Sequence, residues 1–135
     1  MTKIEKFEDI IVWQKSGKLV IKVYIEFKNC RDFPFRDQIQ RATVSIMNNI
    51  AEGYERKGNK EFTKFLYIAK GSCGEVRSML YIAYKLNYID KDSFENLKKD
   101  CQEISRMISG LIKTLQWSLD KLYELYNFMN LNELE

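Results

Sequence analysis

The chain has 135 residues, 45% hydrophobic and 30% charged, which suits one folded domain with a real core and argues against disorder. It contains no histidine, so the usual general base, metal ligand and triad partner are all missing, and the sequence reads as non-enzymatic, with no metal or cofactor expected. Net charge is only +3, yet residues 1–89 hold 16 Lys and Arg against 10 Asp and Glu, and residues 90–135 hold 6 against 9, which implies a basic face.

A single proline and six glycines leave long stretches without a strong breaker, favouring an all-α fold. The opening MTKIEKFEDIIVW has acids where a signal peptide would be apolar, and no run approaches the roughly 18 apolar residues of a membrane span. A cytoplasmic protein with no membrane partner is expected. Cys30, Cys73 and Cys101 are widely spaced and odd in number, so disulfides and a cysteine zinc site are poorly supported.

The first helix is expected from about Glu8 to Lys28. Ile10, Trp13, Gly17, Val20, Tyr24 and Phe27 form its stripe, widened by Leu19 and Val23. Asn29–Pro34 ends it, because residues before proline avoid helical geometry. The second helix spans about Phe35 to Glu55 and buries Phe35, Ile39, Ala42, Ile46, Ile50 and Gly53. Beside that stripe run Gln38, Arg41, Ser45, Asn49, Glu52 and Arg56, about 100° round the helix. Polar side chains so near a core need partners, and Ser72 and Glu75 of the next helix are candidates. The preferred reading is a hydrogen-bonded seam between helices or subunits; direct ligand contact is the alternative.

Lys57-Gly58-Asn59 supplies the next break, with Asn59 as the expected cap. The third helix follows from about Lys60 to Asn87, on a stripe of Phe62, Phe65, Leu66, Ala69, Cys73, Val76, Leu80 and Ala83. Gly71 and Gly74 inside it suggest a close helix neighbour. Opposite the stripe lie Tyr67, Lys70, Arg77, Tyr81, Lys85 and Tyr88, and Lys57, Lys60 and Lys64 extend the charge towards the preceding break, beside Arg56. Cations neutralise phosphates and rings stack on unpaired bases, so this face could grip nucleic acid. The competing reading packs the tyrosines against protein, and tyrosine's frequency at interfaces tilts the residues slightly that way.

The fourth helix starts near Asp92 or Ser93. Phe94, Leu97, Cys101, Ile104, Ile108, Leu111, Leu115, Ser118, Leu122, Leu125 and Met129 alternate steps of three and four over five heptads. It is expected to reach about Asn130, with residues 117–135 extending beyond its neighbours to meet another chain. Together the elements predict an antiparallel up-down-up-down four-helix bundle with a long fourth helix, in one domain over residues 1–135.

Residues 7–20, FEDIIVWQKSGKLV, resemble the opening of the small four-helix-bundle proteins encoded in intervening sequences of bacterial 23S ribosomal RNA genes. Residues 37–76 carry that family's most recognisable segment: Asn49-Ile50-Ala51-Glu52-Gly53, then Glu61-Phe62, Phe65-Leu66, Gly71-Ser72 and Glu75. The resemblance covers roughly residues 7–115. Met47 stands where the family often has proline, and the chain from Trp117 onward lies beyond it. It implies a homopentamer, in some members with a basic surface. It also brings in a relative, the accessory variability determinant protein of diversity-generating retroelements, which binds nucleic acid and works with a reverse transcriptase. RNA, or a protein partner such as a reverse transcriptase, is therefore the expected company.

Overall fold

In the computed structural model, which describes residues 4–133, a 3-10 turn at Phe7–Asp9 leads into four α-helices. They are α1 (Ile11–Glu26), α2 (Phe33–Glu55), α3 (Asn59–Lys85) and α4 (Lys91–Glu133). Asp9 closes the opening turn by accepting from the backbone N–H groups of Glu5 and Lys6, and Ile10 is extended, so α1 begins three residues later than the sequence pattern implied.

The other boundaries follow from local chemistry. Asp32 accepts from the N–H of Phe35 and caps α2, with Pro34 in the first turn, where its missing N–H costs nothing. That moves the start of α2 ahead of the expected Phe35. Gly58, at φ +96°, makes the turn into α3, so Asn59 is the first helical residue and not the cap. α3 stops at Lys85 rather than Asn87. Asn87 takes a left-handed conformation (φ 59°), and the N–H groups of Tyr88 and Asn87 bond back to the carbonyls of Ala83 and Tyr84. Asp90 caps α4 through Ser93, whose N–H holds the Asp90 carboxyl below the usual carboxylate range.

Adjacent helices run antiparallel. Gly17 faces Met47 and Phe27 meets Phe35 between α1 and α2; Gln38 meets Glu75 and Gly53 meets Phe62 between α2 and α3. Tyr67 meets Gln116 and Tyr81 meets Phe94 between α3 and α4, while Lys15 and Lys22 of α1 reach Glu103 and Asp100 of α4. Each helix packs on two neighbours in a closed ring, with no diagonal packing among the described residues. That is the contact order of an up-down-up-down bundle.

The core stripes of α2 and α3 are largely those the sequence implied: Ile39, Ala42, Ile46, Ile50 and Gly53 on one, and Phe62, Leu66, Ala69, Cys73, Val76, Leu80 and Ala83 on the other are buried, while Phe35 and Phe65 are only half-buried. The stripe of α1 is so only in part. Ile10, Leu19, Val23 and Phe27 are buried as expected, but Val12 and Ser16 join them, and Tyr24, expected inside, is 46% exposed. Helix α1 is apolar on several sides, and the structure buries the line that includes Ser16, whose hydroxyl donates to the Val12 carbonyl. Gly71 and Gly74 also differ from expectation. No atom lies within 4 Å of where their Cβ would stand, so they admit no close helix within the chain. Gly53 does: a Cβ there would sit 2.6 Å from Cβ of Phe65.

Candidate nucleic-acid interface

The outer faces of α3 and α4 form a groove, because their apolar stripes meet below it. Tyr67 and Lys70 of α3 and Ser109, Ile112, Lys113 and Gln116 of α4 line a cleft of about 290 Å³. Lys70 also borders a second cleft, of about 140 Å³, shared with Cys73, Arg77, Cys101 and Ser105. Tyr67 and Tyr81 are about half exposed along this line. The Tyr67 hydroxyl accepts from Nε2 of Gln116 at 3.5 Å; the Tyr81 ring meets the edge of Phe94, with Nζ of Lys98 5.7 Å from its centroid.

Electrostatics separate this groove from the one on the other side of α4. There Lys15 pairs with Glu103 and Lys22 with Asp100 at 2.8 Å, and the Lys15 ammonium holds the Glu103 carboxyl below its ordinary range. Along the α3–α4 groove, Lys70, Arg77 and Lys113 make no ion pair among the described residues. Two of the three lysines on the α1 side are thus paired, with Lys18 the exception, whereas on the α3 side only Lys98, beside Tyr81, has an acid, Glu95, among the described residues. The thiols of Cys73 and Cys101 below the groove are both pushed up to about 12, chiefly by burial, and act as small core hydrophobes.

The remaining basic residues named from sequence do not all join this line. Lys57, Lys60 and Lys64 are exposed at the α2–α3 end, near the Tyr67 end of the groove, and Lys85 is exposed at the far end. Arg56 lies over the Phe65 ring at 5.2 Å and pairs with Glu52 within α2, so part of its charge is used locally. Tyr88 is engaged in the fold: its ring packs on Phe35 and its hydroxyl donates to Asp32 at 2.7 Å. Ser105, Ser109, Lys113 and Gln116 were not read from the sequence. Their steps of four, four and three alongside the buried stripe of α4 were the signal that could have found them.

The polar seam is a hydrogen-bonded relay between α2 and α3. Nε2 of Gln38 donates to Glu75 at 2.8 Å, the Ser45 and Ser72 hydroxyls share a bond of 2.9 Å, and Nδ2 of Asn49 donates to both the carbonyl and the hydroxyl of Ser45. Arg41 and Glu52 face outward instead. Ser72 and Glu75 are thus the cross-helix partners that the pattern suggested.

Among the described residues no cluster of His, Cys, Asp and Glu could hold a metal, and no helix is long and apolar enough to cross a membrane. The chain belongs to the 23S rRNA-intervening sequence protein family, whose model matches residues 8–110. A crystal structure from Bacteroides thetaiotaomicron VPI-5482, of a protein with unknown function from the S23 ribosomal protein family, shares the fold. It is 24% identical, matches 76% of this chain and 96% of that one, and superposes with a TM-score of 0.71. No curated protein matches the chain.

Proposed function

We propose that this chain is a non-enzymatic, oligomeric helical-bundle protein of the cytoplasm that binds nucleic acid, RNA above all, along the α3–α4 groove. The observation that carries the reading is the set of unpaired cations Lys70, Arg77 and Lys113 beside the half-exposed rings of Tyr67 and Tyr81. Ammonium and guanidinium groups there displace counterions from a phosphate backbone, and the rings offer stacking to unpaired bases. Changing all three cations to glutamine should lower the slope of log affinity against log salt by about 2 for a single strand. The circular dichroism spectrum should not change. Undiminished affinity in the folded triple variant refutes this surface.

Association is part of the reading, and five copies is the number the family resemblance implies. Light scattering of the purified chain should then give about five times 16.1 kDa, and a monomer refutes it. A second reading has its own support. Ile21 and Ile25 on α1 and Ile68 and Ile82 on α3 are 46–63% exposed, which favours an assembly or adaptor protein, for example one holding a reverse transcriptase. Absence of any RNA binding together with stable protein assembly would choose it.

A further inference from the structure

Helix α4 continues past everything it packs on. Ile112 is its last buried side chain and Leu115 the last that packs against the core, yet the helix runs on to Glu133. Between Trp117 and Met129, eight large apolar side chains are 37–67% exposed. Six of them, Leu119, Leu122, Tyr123, Leu125, Tyr126 and Met129, fall within an arc of about 160° at 100° per residue. Asp120, Glu124 and Asn127 lie on the opposite side, with the remaining two apolar side chains, Trp117 and Phe128. The family match ends at residue 110, so it assigns this segment nothing.

We propose that the overhang is an oligomerisation helix, and that its occupants are the overhangs of other copies of this chain, packed as a bundle of three or more strands. Four features point to that occupant. The chain's own bundle cannot supply it, because no glycine or proline after Gly110 would let the helix fold back. The heptad spacing that packs α4 in the core continues through Leu115, Ser118, Leu122, Leu125 and Met129, and such a stripe is complementary to itself. The apolar arc also takes in Leu119 and Tyr126, wider than the two-position seam of a two-stranded coil, so each helix has room for more than one neighbour. Finally, the six side chains each offer on the order of 100 Å², so two overhangs can bury about 1,200 Å², the size of a specific interface.

Charge does not oppose this contact. Asp120, Lys121 and Glu124 leave a net charge of only −1 and lie off the apolar arc, and Lys121 already pairs with Glu124 at 3.3 Å. The inference shares the oligomeric part of the function proposed above and is independent of nucleic-acid binding.

The test is sedimentation of the full-length chain and its L122D/L125D variant across a dilution series. Neither leucine belongs to the core, so the variant should keep the wild-type circular dichroism signal of the bundle. Removing two buried leucines should raise the concentration for half-assembly by on the order of 100-fold or more. E124Q, on the polar side, should not change it, and wild-type assembly should persist in 1 M salt, where nucleic-acid binding is lost. Identical mass and dilution behaviour of L122D/L125D and wild type overturns the overhang interface while leaving an assembly through the bundle faces standing. A wild type that stays monomeric overturns both.

Discussion

Replacing Gly53 with alanine should destabilise the protein, although glycine is a poor helix former and lies in the middle of the family's signature. A Cβ at 53 would stand 2.6 Å from Cβ of Phe65 and 3.1 Å from Cδ1 of Phe62. The first of these atoms is fixed to the α3 backbone and cannot rotate away, so relief requires α3 to move off α2. Better helix propensity contributes about 1 kcal/mol, while overpacking of a core contact costs about 1–3 kcal/mol, here at the upper end because no rotamer escapes it. The net loss is about 2 kcal/mol, a fall in Tm of roughly 6–10 °C for a chain of this length. Thermal unfolding followed by far-ultraviolet circular dichroism measures it. Gly71→Ala and Gly74→Ala are the matched controls. Both positions have open space around a new Cβ, so each should gain up to about 1 kcal/mol. A Gly53→Ala protein that melts at or above wild type, or three variants that shift in the same direction, refutes the close-approach reasoning.

Three other outcomes are expected. With thiols pushed up to about 12 and buried, Cys73 and Cys101 should resist alkylation in the native protein, and half-buried Cys30 should label first by mass spectrometry. Ser45→Ala removes one partner from both Ser72 and Asn49 and should cost about 1–2 kcal/mol in denaturant unfolding; adding Ser72→Ala should cost less than the sum of the two single changes. The hydrogen bond to Asp32 raises the Tyr88 pKa above the ordinary tyrosine value, so the folded state holds this proton more tightly than the unfolded one. The bond's contribution is therefore full below the unfolded pKa and is lost as pH rises through the folded one. Alkaline unfolding should be steeper in wild type than in Tyr88→Phe, and equal slopes would contradict the latch.

The bundle was legible in the sequence where one apolar line stood alone. Helices α2 and α3 each have a single stripe, and the structure buries it. Helix α1 carries Ile11, Val12, Leu19, Val20, Ile21, Val23, Tyr24 and Ile25, which supply two lines of similar strength. Periodicity cannot choose between two such lines, and the polar Ser16 counted against the one that is buried. A serine that bonds its own preceding turn costs a core little, and sequence alone does not reveal that bond. The seam succeeded for the opposite reason. Ser45, Asn49 and Ser72 are too polar to sit beside a core unless they satisfy one another, so the need for partners pointed to α3, while which residue pairs with which came from the structure.

The groove was half legible, since Tyr67, Lys70 and Arg77 could be read from one helix but the wall facing them belongs to another. What joins the walls is the rotation of α3 about its own axis, which its buried stripe sets and contacts on its far side reinforce. Gly53 lets α3 approach, and the bonds Ser45–Ser72 and Gln38–Glu75 fix which residues face α2. On a helix of 3.6 residues per turn, Ser72 and Glu75 turned towards α2 leave Lys70 and Arg77 turned towards α4. The polar residues of the signature therefore bear on the basic surface without touching it. Rotating α3 by one residue would carry Lys70 and Arg77 out of line with Lys113, even with every helix still formed.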